Sequence, residues 1–186
     1  GGNNLKDRSA RQVVRYNWIE GGNRQLDLVD GEDSVVIRTD PGYRETHVYG
    51  NILIEPAGAG NRQMVHYGGD GRARNFRKGT LFFYNNTLVS TRTDRTSLFR
   101  LSTNQERAAA RNNIFYATAA GNTVSLLDVY GVLDLSHNWI KPGWVKSFGN
   151  FKGTVNNDGT MVQGSSPGFV GEAGQDYHLA PGSAAI

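Results

Sequence analysis

Five ionisable residues pose the chemical question in this sequence. They are Lys6, Asp27, His66, Arg100 and Asp128. Four of them sit between two apolar residues: Leu26-Asp27-Leu28, Val65-His66-Tyr67, Phe99-Arg100-Leu101 and Leu127-Asp128-Val129. Side chains alternate faces along a strand, so the apolar flanks point to a core and the central residue points out. Lys6 lies 21 residues before Asp27, one coil back along the same arrangement. Strands stacked in register would place neighbours in this column about 4.8 Å apart. Acids, bases and an imidazole on one rigid face can do general acid–base chemistry. The same alternation of charge also describes a surface ion-pair ladder.

The spacing favours one chemistry. Asp27 and Asp128 would lie three coils apart, about 14 Å, beyond the roughly 5–10 Å that a glycosidase carboxylate pair needs. Proton abstraction on an acidic sugar, with Lys6, Arg8, His66 or Arg100 as base and charge stabiliser, fits better than hydrolysis. A second column two residues further on reads Arg8, Val29, Gly68, Ser102 and Tyr130. Insertions at residues 30–45 and 69–80 are placed to wall this face. The second carries Arg72, Arg74, Arg77 and Lys78 against Asp70, a basic loop that would steer a polyanion. With Tyr130, these four cations are the expected substrate-binding groups. A cleft between the insertions would favour an enzyme, and tight packing along the column a non-catalytic glycan-binding or adhesin-like module. His47, His137 and His178 lie before turns or in the tail and are expected to be structural.

The elements that must position these residues repeat. Tyr16-Asn17-Trp18-Ile19 returns as Gly50-Asn51-Ile52-Leu53, Asn85-Asn86-Thr87-Leu88, Asn112-Asn113-Ile114-Phe115 and His137-Asn138-Trp139-Ile140. A strand-like run precedes each turn, and Asn-Arg-Gln-aliphatic occurs at both Asn23 and Asn61. Short strands at a period of tens of residues mark a stacked array. Three strands in a coil of about 21 residues predict an all-β, right-handed parallel β-helix of about five coils. Asn17, Asn51, Asn86, Asn113 and Asn138 should stack at one corner, where Asn suits a tight, left-handed bend and its amide can pair up and down the stack. Helix content should be near nil. Coils are expected over residues 1–140, with a final coil and a cap over 141–186. Trp144, Phe148, Phe151, Phe169 and Tyr177 are placed to cover the last coil, because open strand edges invite pairing. The first coil should be an open edge with Leu5 partly exposed, covered in a longer parent chain.

Composition bounds the rest. The chain has 186 residues, a net charge of +3, 24 glycines and no cysteine. That excludes a disulfide framework, a zinc ribbon or a thiol nucleophile. The mild charge does not suggest nucleic acid, and no apolar run is long enough for a membrane helix. A monomer is expected.

Arg8-Ser9, Arg15-Tyr16-Asn17 and Leu26-Asp27-Leu28 resemble a segment of the chondroitinase-B and alginate-lyase type of polysaccharide lyases, within the pectin-lyase-like superfamily. That family has a Lys-Ser dipeptide, an Asn turn and a Leu-Thr-Leu-Arg strand. Its Lys is the base, its Arg assists, and calcium often neutralises the uronate carboxyl. By that match Arg8 stands at the Lys and Val29 at the Arg, and Val29 can neither move a proton nor bind a carboxylate. Calcium enters only through this resemblance, because no Asp-x-Asp-x-Asp loop is present; no metal ligands are assigned. The tail segments Pro167-Gly168-Phe169-Val170 and Asp176-Tyr177-His178-Leu179 resemble the closing pieces of bacterial secreted β-helix proteins. An acidic polysaccharide and an extracellular or periplasmic location are what these likenesses imply.

Overall fold

The computed structural model describes residues 2–118 and 123–186. The chain winds into a parallel β-helix with three sheets. Sheet A stacks β1 (Leu5–Asp7), β4 (Leu26–Leu28), β7 (Gln63–Tyr67), β10 (Arg95–Leu101) and β13 (Thr123–Leu127). Sheet B stacks β2 (Val13–Arg15), β5 (Glu45–Tyr49), β8 (Thr80–Tyr84), β11 (Arg107–Arg111), β14 (Val132–Ser136) and β16 (Thr154–Asn157). Sheet C stacks β3 (Trp18–Glu20), β6 (Ile52–Glu55), β9 (Thr87–Ser90), β12 (Ile114–Ala117), β15 (Trp139–Ile140) and β17 (Val162–Gln163). A hairpin of β18 (Phe169–Gly171) and β19 (Asp176–Leu179) follows. Among the described residues, helix is confined to α1 (Val35–Thr39), capped by Ser34 inside the first insertion, and to short 3₁₀ turns. The expected near-absence of helix holds, with the five residues of α1 as the α-helical exception among the described residues.

Inward side chains of the three sheets make one continuous core, with Leu28, Val48, Leu53, Phe83, Phe99 and Phe115 among its members. The rings of Phe83, Phe99 and Phe115 meet edge to face at 5.1 and 6.2 Å, a favoured aromatic geometry.

The asparagine ladder forms as expected. Each side-chain Nδ2 donates to Oδ1 of the next Asn: Asn17 to Asn51 at 3.0 Å, Asn51 to Asn86 at 2.9 Å, Asn86 to Asn113 at 3.1 Å and Asn113 to Asn138 at 2.9 Å. The same Oδ1 also takes the backbone N–H of the preceding Asn. One expectation needs correcting. The left-handed residue of each turn is the one before the ladder Asn: Tyr16, Gly50, Asn85, Asn112 and His137 all have φ between 52° and 66°. The ladder Asn is selected by its side-chain bonds instead.

The tail corrects the sequence reading further. Trp144 and Phe151 do pack against the end of the core. Phe169 and Tyr177 do not. They lie on the outer face of sheet C with Ile54, Val89, Tyr116 and Trp139. The hairpin runs back along the stack until Tyr177 meets Trp18 at 5.7 Å and Gln175 bonds to Glu20. Sheet C is apolar on both faces, as in Ile52-Leu53-Ile54, so its outer face needs a cover.

Glu55, at the end of β6, is 1% exposed and takes hydrogen bonds from Ser90 Oγ and Thr96 Oγ1. Burial pushes its carboxyl up to about 7 from 4.5, despite those two bonds and nearby Arg92.

Two outcomes follow from this fold. Asn86→Ala should cost about 3 kcal/mol in denaturant unfolding, because it orphans buried partners on both neighbouring coils; Asn17→Ala, at the exposed end, should cost about 1 kcal/mol or less. Second, Glu55 keeps its proton in the folded state while the unfolded state loses it. Stability should therefore fall as pH rises from 4.5 to about 7, by up to about 3 kcal/mol. Glu55→Gln should flatten that slope in melts recorded across this range.

Candidate functional site

Sheet A sets the charged column in the expected register. Lys6 pairs with Asp27, Asp27 with His66 and His66 with Arg100 along the ladder. Asp128 follows the end of β13, and its N–H continues the ladder by donating to Phe99 O. The column is not open, however. Asp27 and His66 are both 0% exposed, and Val29, expected to point out beside them, is buried as well.

A polar network covers this pair. His66 Nδ1 lies 2.8 Å from Asp27 Oδ1, and His66 Nε2 lies 3.0 Å from Ser102 Oγ. Lys6 Nζ sits 3.0 Å from Asp27 Oδ2, Asn3 Nδ2 donates to the same oxygen at 2.7 Å, and Arg24 approaches to 3.6 Å. Asp70, from the second insertion, lies over the column at 3.7 Å from both Lys6 and His66 and at 3.6 Å from Arg100. An acid of that loop, and not its arginines, therefore meets the face. Gln63 bridges Arg24 to Asp128, at 3.4 Å on each side.

Burial alone would raise the Asp27 carboxyl, but hydrogen bonds from His66 and Lys6 hold it well below the usual carboxylate range. Burial pushes the His66 imidazole down, against the bond to Asp27 and with help from Arg100. The ionised Asp27 accepts a hydrogen bond from His66 Nδ1–H, which leaves Nε2 facing Ser102 as an acceptor. Ser102, His66 and Asp27 thus stand in the order of a nucleophile, a base and its orienting carboxylate. The hydroxyl is not free to attack, because Gly69 engages it: its N–H donates to Ser102 Oγ at 2.9 Å, and its carbonyl, 2.8 Å away, competes with His66 Nε2 for the one hydroxyl proton. A Cβ at Gly69 would lie 2.2 Å from Phe76 and 2.3 Å from the Asp30 carboxylate, so only glycine fits this close approach.

The two insertions form a packed corner, where a cleft between two walls was the enzyme-favouring expectation. Asp30, 1% exposed, takes the backbone N–H of Asp70 at 3.0 Å. Tyr43 OH accepts from Gly31 N and donates to Asn75 O. Arg77, expected to bind substrate, is fully buried: it donates to Tyr43 O and Ser9 O and lies 4.9 Å from the Tyr43 ring. Arg8 joins the same corner through Asp30 O and Glu32. Arg72 and Arg74 remain exposed, and Lys78 is half-buried with its N–H bonded to Glu106. Tyr130 is 38% exposed, with the Lys152 ammonium 5.8 Å from its ring. Of the other histidines, His178 is exposed beside Asp176, and His47 stacks on Phe82 on sheet B.

Asp27, His66 and Asp70 each offer a ligand atom within 4.8 Å of the others. The set does not fit calcium, which takes six to eight oxygen ligands. Here one donor is an imidazole, and the Lys6 ammonium already lies between the two carboxylates. The charge of the cluster is balanced from within by Lys6, Arg24 and Arg100.

Sequence reasoning missed the covering groups Asn3, Arg24, Asp70 and Ser102. Only Ser102 was in a column at all; Arg24 lay in the repeated Asn-Arg-Gln phrase, which was a usable signal. No protein-family model, curated protein or solved structure matches the chain.

Asp27→Asn should cost about 3 kcal/mol, the usual scale for breaking a buried charge network by removing one partner. The depressed Asp27 contributes stability that is present above its unfolded value of 3.8 and lost as pH falls below it. The variant's stability should accordingly depend less on pH than that of the parent below about pH 4, as chemical unfolding at stepped acidities would measure.

Proposed function

We propose that this β-helix binds an acidic polysaccharide without cleaving it. The observation that supports this reading is the contrast within one face: the acid–base pair Asp27 and His66 is sealed, while Lys6 and Arg100 on either side of it stay accessible. Lys6 and Arg100 keep 40% and 34% of their side-chain surface, and Arg72 and Arg74 are exposed on the insertion that brings Asp70 over them. A sealed base cannot reach a substrate proton. An exposed cationic rim can hold carboxylates through long-range attraction and charge-assisted hydrogen bonds. The buried column then serves as a ladder that fixes the rim in place. An extracellular or periplasmic setting goes with this reading, as does binding along the stack by a linear polymer.

The test is affinity electrophoresis and calorimetry of the protein with alginate, polygalacturonate and chondroitin sulfate. Binding to at least one polymer should weaken as salt rises. Combined Arg72→Ala, Arg74→Ala and Arg100→Ala substitution should lower affinity by about tenfold or more, which corresponds to about 1.4 kcal/mol. No unsaturated uronate product should accumulate. Product formation that disappears in Lys6→Ala would replace this reading with the lyase one, and failure to bind any of the polymers would reject both.

A further inference from the structure

Two of the three outer sheet faces are closed, sheet A by the polar network and sheet C by the hairpin. The outer face of sheet B is open. Two of its registered outward columns carry aromatic rings. One reads His47, Phe82, Ala109 and Asp134; the other reads Tyr49, Tyr84, Arg111 and Ser136. The rings stack face to face, His47 on Phe82 at 4.9 Å and 13°, and Tyr49 on Tyr84 at 4.9 Å and 6°.

The first stack stops at Ala109. The next rung is Asp134, so two coil steps, about 9.6 Å, separate the Phe82 and Asp134 positions, with only a methyl group between them. The result is an open hollow of about 410 Å³ bounded by Phe82, Tyr84, Ala109, Arg111, Asp134 and Ser136. A ring seated midway would lie about 4.8 Å from Phe82, within the roughly 4.5–7 Å at which rings associate. Its two walls differ in chemistry. Phe82 offers an apolar face. Asp134 offers a carboxylate held in orientation by Arg107 and Asn156. At the rim, the Arg111 guanidinium lies 5.4 Å from the Tyr84 ring, is exposed, and pairs with no carboxylate among the described residues.

We propose that this slot binds one uronic-acid residue of an acidic glycan. The C–H face of the pyranose would rest on Phe82, its hydroxyls would donate to Asp134 and Ser136, and its carboxylate would pair with Arg111. A purely apolar ring would use Phe82 and leave both charges idle. A cationic ring would meet Arg111 as a like charge. The occupant that uses the apolar face, the acceptors and the cation together is a sugar carrying a carboxylate. The inference rests on the reading of the protein as a binder of acidic glycans, and it puts a contact on a different face from the Lys6–Arg100 rim.

The test uses the full chain, labelled with nitrogen-15 and titrated with trigalacturonate and with neutral maltotriose. Amide shifts should move at Phe82, Ala109, Arg111 and Asp134 with the uronate and much less with the neutral sugar. Ala109→Phe would fill the slot with a further ring and should weaken uronate binding there about tenfold or more. Arg111→Gln, a change at an exposed side chain that leaves the stack in place, should remove most of the preference for uronate over the neutral sugar. Shifts confined to Arg72, Arg74 and Arg100 would overturn the slot and leave the proposed function standing. Shifts confined to the slot would support it and reject the cationic rim as the binding site. Equal response to both sugars would overturn the uronate assignment, and so would a response unchanged by Ala109→Phe or Arg111→Gln in correctly folded protein.

Discussion

A buried amide stacked on a buried amide is the constraint on which the rest of this structure depends. An Asn side chain at the corner between sheets B and C must satisfy its own hydrogen bonds and those of the coil next to it. Sliding one coil by a residue would break that exchange and also turn every inward side chain of the coil outward. The ladder therefore holds the coils in step despite unequal lengths, with 34, 35, 27 and 25 residues between successive members. Differences in length are pushed into the corner insertions, and the strands stay in register. The column of Lys6, Asp27, His66 and Arg100 on sheet A, and the two columns on sheet B, are consequences of the same register.

What a registered column does depends on what covers it. On sheet A the charges alternate from strand to strand up the stack, and the corner loops close over them. Desolvation makes such closure costly unless every charge finds partners. Here Asp27 collects His66, Lys6, Asn3 and Arg24, while His66 is held between Asp27 and Ser102. The geometry of a proton relay survives within the network, but Gly69 engages its hydroxyl. On sheet B no loop returns among the described residues, and the rings and the arginine of that face remain in contact with solvent.

The fold was legible because its signals are periodic. The five Asn turns, the alternation around Asp27, His66 and Arg100, and the 21-residue step from Lys6 to Asp27 all translate directly into register. The site was only half legible. Alternation says that Asp27 points away from the core, but not that Asn3 and Asp70 close over it, because those contacts depend on how the irregular corners fold. Arg77 was misread for the same reason: four cations in one loop look alike in sequence, and only the packing of Tyr43 singles one out for burial. The role of the hairpin was hidden as well. Its clue was the apolar outer side of sheet C, at Ile54, Val89 and Tyr116, which requires a partner that the repeat itself does not supply.

That hairpin changes the physics of the stack. Coils that touch only their neighbours behave as a one-dimensional chain, free to fray inward from either end. Here Gln175 meets Glu20 across 155 residues of sequence, and Tyr177 lies against Trp18 of the first coil. The two ends are thereby tied into a loop, and the terminal coil cannot peel away while this tie is in place. This tie is the most non-local contact among the described residues, and it needs the intervening coils in position to bring its two ends together. The linear repeat thus gains the all-or-none character of a globular domain from its least repetitive segment.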